Sequence, residues 1–365
     1  MTIDAPVVLH VSNQAACGPN TEFARAFARL AANGLLVHVP VAAQALLRDA
    51  DRDTALRTLR RTAREAAPDV VFVQSPHAFP WTAEAVGALL SDIGSPPVVY
   101  WEGDAWGGRK QLGASSAAWL SRADHVFSVA LGEQADLLGR YARTAVRYVP
   151  HVLPSHLMDA DGDSVPEPGQ AVLDVAHIGS CYVRLGILER VDGARERLRL
   201  ARRLCSLPNC RVALYGHGWR GPAARGPVAY NQQPAALRDA RISVGWDHYR
   251  RYPGYFSDRL PISMYAGRVH VSSRPPEVGW LPGRDSGLHL VDSLTEAVDR
   301  VRELLLSDPR ELHAAGLRAH RWTRDRLTDL HALQYMLGTE LVLPAPPKDP
   351  WLAVSELAVR LREAV

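Results

Sequence analysis

Tyr249-Arg-Arg-Tyr-Pro-Gly-Tyr-Phe-Ser-Asp258-Arg259-Leu-Pro-Ile-Ser-Met-Tyr-Ala-Gly267-Arg-Val-His-Val-Ser-Ser273 is the stretch whose reading decides the fold. It reads as a Gly/Tyr-rich loop, a short helix starting near Ser257, a glycine at the helix end and then a buried strand. Ser257 is placed to act as N-cap, Asp258 is favourable in the first turn, and Gly267 can take the positive φ that stops a helix. A helix start behind a flexible loop presents free N–H groups and a partial positive charge, which together make an anion site. With its strand, the segment is one αβ unit of a layered fold.

The same unit repeats in both directions. Upstream, apolar runs at Val7–Val11, Leu36–Pro40, Val70–Val73, Val98–Trp101, His125–Val129 and Val146–Val149 alternate with helical patterns at Thr21–Ala32, Asp53–Ala66, Ala83–Leu90 and Glu133–Ala142. A second set of strands is predicted at Val175–Ile178, Val212–Tyr215, Ile242–Trp246, Val269–Ser272 and Leu288–Val291, followed by long helical patterns. Between the two sets, 155–171 is rich in Asp, Pro and Gly and reads as a linker. The expected organisation is therefore α/β. A Rossmann-like domain over 1–154 precedes the linker and a second over 172–342, and 343–365 forms a Pro-rich crossover and closing helix. Two consecutive doubly wound domains suggest a ligand cleft between them, at the carboxyl ends of the strands.

Bulk properties narrow the class. A chain of 365 residues, 47% hydrophobic and 22% charged, suits two domains. A net charge of +3 is too small to argue for a nucleic-acid partner. Cys17, Cys181, Cys205 and Cys210 make neither a CxxC pair nor a zinc spacing, which points to a reducing cytoplasm. The start lacks a signal-peptide pattern, and no run approaches the roughly 20 apolar residues that span a bilayer, so no stable membrane insertion is expected.

The loops that follow strands hold the candidate chemistry. After the first strand, Gly18 permits close backbone approach, although the loop is not GxGxxG and so disfavours a nicotinamide site. After the third comes His77, and after the fourth Trp101-Glu102-Gly103-Asp104-Ala105-Trp106, two carboxylates between tryptophans. In the second half, Gly179 and Arg184 follow a strand. The helix beyond carries Arg190, Arg195, Arg197, Arg199, Arg202 and Arg203, read for the most part as a solvated face, so Arg184 is the better phosphate ligand. Gly216-His217-Gly218-Trp219 closes another strand with a glycine turn and an aromatic suited to stacking a nucleobase. Asp49-Ala-Asp51 and Asp159-Ala-Asp161 match an Asp-x-Asp metal pattern, but neither ends an apolar strand and no metal site is assigned to them.

This ordering resembles the GT-B glycosyltransferases, in particular the group-1-like branch around the spore-maturation CgeB-like proteins. The resemblance is carried by Asp174–Ser180, Leu214–Gly218, Val228–Tyr230 with Leu237–Gly245, and Ser257–Gly267; Ala67–Val71, Ala123–Phe127 and Tyr148–His151 match more loosely. It implies a nucleotide-sugar donor as co-substrate, held by the C-terminal domain. It implies an acceptor on the N-terminal domain, no metal or other cofactor, and a closing helix that packs back on the first domain. On this reading Gly18, Gly179, Arg184, Gly216, His217, Gly218, Trp219, His248, Tyr255, Ser257, Asp258 and Arg259 face the donor. Glu102, Asp104 and His77 are the candidate bases, in that order, and Trp101 and Trp106 face the acceptor. The tryptophans, with Trp81 and Phe79, hint at an aromatic or amphiphilic small molecule as in natural-product biosynthesis. One position departs from the family, which carries a ribose-binding glutamate five residues before the helix-ending glycine. Ile262 stands there, with Asp258 one turn earlier as its possible substitute. A non-catalytic partner of another transferase and a nucleotide-sugar epimerase are the two rival readings.

Overall fold

The structure is a computed structural model and describes residues 5–106, 109–161, 165, 171–184, 188–346 and 348–363. Two compact units make it up. Unit 1 joins Met1–Pro150 to Asp329–Val365, and unit 2 is His151–Thr328.

The strands are β1 (Val7–Ser12), β2 (Val37–Ala42), β3 (Val70–Gln74), β4 (Val98–Glu102), β5 (His125–Ser128), β6 (Val146–Tyr148) and β7 (Leu173–Ile178). A two-residue pair follows, β8 (Val183–Arg184) and β9 (Leu188–Glu189). Then come β10 (Val212–Tyr215), β11 (Ala224–Gly226), β12 (Ala240–Val244), β13 (Val269–Ser273) and β14 (Leu288–Val291). Helices α1 (Ala24–Ala32), α2 (Ala43–Asp49), α3 (Arg52–Ala66), α4 (Ala83–Asp92), α5 (Ala114–Leu120) and α6 (Glu133–Gly139) belong to unit 1. Unit 2 holds α7 (Ser155–Asp161), α8 (Ala194–Cys205), α9 (Gln233–Arg238), α10 (Arg259–Tyr265), α11 (Leu294–Leu306) and α12 (Pro309–Arg326). The returning chain adds α13 (Asp329–Leu337) and α14 (Lys348–Glu363) to unit 1.

Unit 1 is a parallel sheet in the order β2-β1-β3-β4-β5-β6, and unit 2 a parallel sheet in the order β11-β10-β7-β12-β13-β14. Helices cover both faces of such sheets, so central strands are apolar throughout rather than alternating. Val70–Gln74 and Leu173–Ile178 are buried at every position. Both sheets switch direction beside their first strand, which gathers the loops after β1, β3 and β4 in unit 1 and after β7, β10 and β12 in unit 2.

Three local expectations are corrected. Residues 329–342, expected to close the second domain, pack in unit 1: α13 lies on α1 and α14 on β6, with Tyr335 stacked on Trp351 at 5.6 Å. The expected linker opens with a structural helix, α7, whose Leu157 is fully buried; residues 162–164 and 166–170 of that linker lie outside the described residues. Ser257 is not an N-cap. Its hydroxyl donates to Asp247 Oδ1 at 2.7 Å, and Asp258 occupies the cap position with helical φ and no side-chain cap bond. The helix end is as expected, with Gly267 at φ 73°.

Helix α12 packs unusually close to the end of α10. A Cβ on Gly316 would meet Gly267 O at 2.2 Å, which no rotamer can relieve because the atom is backbone. Gly316→Ala is therefore expected to cost about 3 kcal/mol, the upper range of overpacking, read as a lower midpoint in a denaturant titration. Because α10 carries Arg259, the same variant also disturbs the site described next.

Candidate active site

Two clusters occupy the carboxyl edges of the two sheets. In unit 1, the loop after β3 and the loop after β4 meet at a carboxylate pair and a histidine. Glu102, the last residue of β4, is 0% exposed. Its carboxylate accepts from the Tyr100 hydroxyl at 2.8 Å, the Ser75 hydroxyl at 3.2 Å and the Asp104 amide at 3.2 Å. Ser75 sits at φ 43° and also accepts from the Gly103 amide at 3.0 Å. Gly103 must be glycine, since a Cβ there would meet the Trp101 ring at 2.7 Å.

Burial, with the Asp104 charge adding to it, pushes the Glu102 carboxyl up to about 7, while His77 and the Tyr100 hydroxyl hold it back. A carboxyl raised from 4.5 to about 7 favours the folded state fully below pH 4.5, and that contribution disappears as pH rises through 7. Wild type should lose on the order of 3 kcal/mol between pH 4.5 and 8 from this group. Glu102→Gln should remove that slope, which urea titrations of both proteins at pH 5 and pH 8 will show.

His77 and Asp104 form a pair beside this buried carboxyl. His77 Nε2 donates to Asp104 Oδ2 at 2.7 Å, with side-chain exposures of 29% and 63%. Burial depresses His77, but the bond to Asp104 and the charge of Glu102 prevail and raise it above the ordinary value. His77 Nδ1 is buried with no partner among the described residues. Trp106 stands edge-on to the His77 ring at 5.3 Å, and the Arg109 guanidinium lies over Trp106 at 5.1 Å. Buried Gln134 on α6 ties the loop down, donating to Asp104 O at 2.8 Å and accepting from the Trp106 amide at 2.9 Å. The donor atoms of His77, Glu102 and Asp104 lie within 4.8 Å of one another, a composition that could take a hard cation, though the three groups already engage one another. Trp101 is not on a ligand face. It is 1% exposed and meets Phe23 edge-on at 5.1 Å, while Phe79 and Trp81 are likewise core.

In unit 2, the turns after β7 and β10 are laced together. The Cys181 amide donates to His217 O at 2.8 Å, and Trp219 Nε1 to Gly179 O at 2.7 Å. A Cβ on Gly216 would meet Gly179 O at 2.7 Å, and one on Gly218 would meet Cys181 O at 2.5 Å, so both glycines serve loop-to-loop contact. His217 is exposed, and it lines with Gly218 and half-buried Trp219 a cavity of ≈ 970 Å³. The side chain of Arg184 lies outside the described residues.

The buried cation is instead Arg197, one of the arginines assigned above to a solvated face. It is 3% exposed and donates from Nε to Trp246 O at 2.8 Å and from Nη1 to Ser180 O at 3.1 Å. Burial and the neighbouring Arg259 lower it to about 10. Arg197, Asp247, Arg259, Ser263 and His270 line one recess. Arg259 Nε is buried with no partner among the described residues, and its Nη1 is 3.5 Å from Asp258 Oδ1. The pattern that betrays Arg197 is its place on α8, where Ala194, Arg197, Ala201 and Leu204 share the buried stripe.

Tyr255 is buried, its hydroxyl raised by burial, and it sits among Tyr249 and His151. His248 Nδ1 donates to Asp192 O at 2.9 Å, and burial lowers the ring to about 3. Tyr249 holds φ 53°, a strained value for an aromatic residue. Ile262 is 0% exposed in the core cluster with Leu173, Ala176 and Ala240, so the position of the missing glutamate faces the interior. Gly18 lies in unit 1, in the wall of a different cavity from the other donor candidates.

Residues 195–338 match the family described as glycosyl transferase-like. No curated protein sequence matches the chain. An alpha-glucosyltransferase in complex with UDP-glucose and DNA containing an abasic site superposes with a TM-score of 0.62 at 12% identity, over 92% of this chain and 98% of that one. HepE from Anabaena in complex with UDP-glucose gives 0.56 at 14% identity, over 92% and 99%. Sucrose-phosphate synthase from Thermosynechococcus elongatus gives 0.55 at 12% identity, over 98% and 100%.

The fold is GT-B. In GT-B terms the matched stretch contains Arg197, Gly216–Trp219 and Arg259 but not His77 or Asp104. Among the described residues, no helix of this GT-B chain is long and apolar enough to cross a membrane.

Proposed function

We propose that the chain is a glycosyltransferase that moves a sugar from a nucleotide-sugar donor to a hydroxyl of a small-molecule acceptor without a metal. The observation that carries this is the guanidinium pair Arg197 and Arg259 in the glycosyl transferase-like stretch, on a fold whose similar structures hold UDP-glucose. Two cations this close repel each other, and a diphosphate relieves that repulsion as its charge grows on the leaving group. Arg259 supplies the orphan Nε–H; Arg197 supplies field and braces the turns at Ser180 and Trp246. Arg184 remains a further phosphate ligand on this reading, and Trp219 the surface for the nucleobase.

The acceptor hydroxyl is deprotonated by Asp104. Glu102 has three donors on its carboxylate and is closed off, whereas Asp104 is the exposed acid of the set. His77 orients Asp104 and sets its basicity, and Trp106 borders the acceptor. A general base for the acceptor hydroxyl is what an inverting transfer requires. On this reading the chain resembles in motif the spore-maturation CgeB-like branch and would act in the cytoplasm, in natural-product biosynthesis. The likeness to a transferase with bound DNA belongs to that protein; the +3 net charge here favours a small acceptor.

The test is a thermal-shift panel of UDP, GDP, dTDP and CDP, since a ligand that binds the native state raises the melting point. One nucleotide at about 100 times its Kd should add about 2.7 kcal/mol. No shift with any of them removes the transferase reading and leaves the non-catalytic partner. Turnover should survive EDTA; loss that is restored by Mn2+ would turn His77, Glu102 and Asp104 into a metal site.

A further inference from the structure

Unit 1 carries a second polar cluster that sugar transfer as described does not use. Buried His10 and Gln74, half-buried His38, and Glu22 form a row. His38 Nε2 lies 3.2 Å from His10 Nδ1, His10 Nε2 lies 3.0 Å from Gln74 Oε1, and Gln74 Nε2 donates to Glu22 Oε2. The last link sets the rest. A carboxylate only accepts, so Gln74 turns its NH2 to Glu22 and its carbonyl oxygen to His10. That oxygen only accepts, so His10 carries its hydrogen on Nε2 and a lone pair on Nδ1. The lone pair requires an N–H at His38 Nε2, which leaves His38 Nδ1 a bare acceptor.

Both rings are neutral. Burial, with His38 beside it, lowers His10 to about 3, and burial lowers His38 to about 4. The His38 ring is held flat on Phe27, centroids 3.9 Å apart and planes within 2°. No hydrogen-bond partner of His38 Nδ1 is present among the described residues. The row borders a cavity of ≈ 300 Å³ whose wall includes His10, Ser12, Cys17, Gly18, Glu22 and His38. That volume is at the lower end for small-molecule sites.

We infer that this cavity binds a sugar or polyol through a hydroxyl that donates to His38 Nδ1. The acceptor character is relayed from Glu22 through three side chains, so it is a property of the row and not of one residue. It rests on unit 1 alone and goes beyond the transferase reading.

Long-range 1H–15N spectra of the full chain test it, with methyl glucoside and permethylated methyl glucoside as probes. Both His10 and His38 should show the Nε2–H tautomer. Methyl glucoside should shift His38 Nδ1, and the permethylated sugar, which has no donor, should not. In Glu22→Gln the new amide can present either group to Gln74, so His10 should become a tautomer mixture and affinity for methyl glucoside should fall about tenfold, the loss of one good hydrogen bond. His38→Phe keeps the stack and should abolish binding while nucleotide binding persists. An Nδ1–H tautomer in either ring, a His38 signal unmoved by methyl glucoside, or an equal shift from the permethylated sugar overturns the site. Absence of nucleotide binding in the same sample would sink the transferase reading and leave this one standing.

Discussion

Replacing Asp104 by asparagine is expected to lower kcat by about 10³-fold, the middle of the range for a general base. The amide keeps the shape and can still accept from His77 Nε2, but it takes no proton from an acceptor hydroxyl. Nucleotide affinity, measured by titration without acceptor, should stay within about twofold, because ground-state donor binding is not what is lost. His77→Gln keeps a donor towards Asp104 and should cost only about tenfold. The pH profiles separate the two roles. Protonated His77 neutralises Asp104 and weakens it as a base, so activity should rise with pH through the His77 pKa, which lies above the ordinary histidine value. In His77→Gln that limb should vanish. A larger loss in His77→Gln than in Asp104→Asn would make His77 the base instead.

The second large effect is on stability. Arg197→Met is expected to cost about 3 kcal/mol, because Trp246 O and Ser180 O lose their charged donor and Asp247 loses a buried counter-charge. Arg199→Met and Arg202→Met, on the exposed side of the same helix, should each stay within about 0.5 kcal/mol. Arg197→Lys retains charge but cannot span both carbonyls, so it should fall between. Urea midpoints across the four variants check the ordering. Arg197→Met should also weaken UDP binding, because the turns after β7 and β12 are both held by that guanidinium. Equal midpoints for Arg197→Met and Arg199→Met would remove Arg197 from the framework of the site.

What the sequence discloses follows from how each feature is encoded. Eleven of the strands announce themselves as apolar runs because both faces of a parallel sheet are covered. Strand β11 does not, since Ala-Arg-Gly at a sheet edge needs no apolar face. The glycine turns after β7 and β10 were legible as turns, but their reason, contact with each other, is a long-range fact. Arg197 was hidden by composition: five other arginines around it mask the one on the buried stripe, and only helical phase separates them. Trp101 misled because an aromatic at a strand end can point into the sheet as easily as towards a ligand. Ser257 misled because its hydroxyl has a stronger partner, Asp247, ten residues back. Gln134 carries no local signal at all. The assignment of α13 and α14 to unit 1 is invisible to periodicity, which reports that a face is apolar and not what it will meet.

That last assignment has a consequence for synthesis. Unit 2 is a continuous segment, entered and left at paired positions, Leu153 bridging to Thr328. Unit 1 is split around it, and Phe127 waits for Tyr335, which in turn stacks on Trp351. On the ribosome, the first sheet is made first but receives its last two helices, α13 and α14, only at the end. The nascent chain must carry an unfinished aromatic surface through the whole translation of the insert. Unit 2 is therefore complete in sequence while unit 1, which began earlier, still lacks its last two helices.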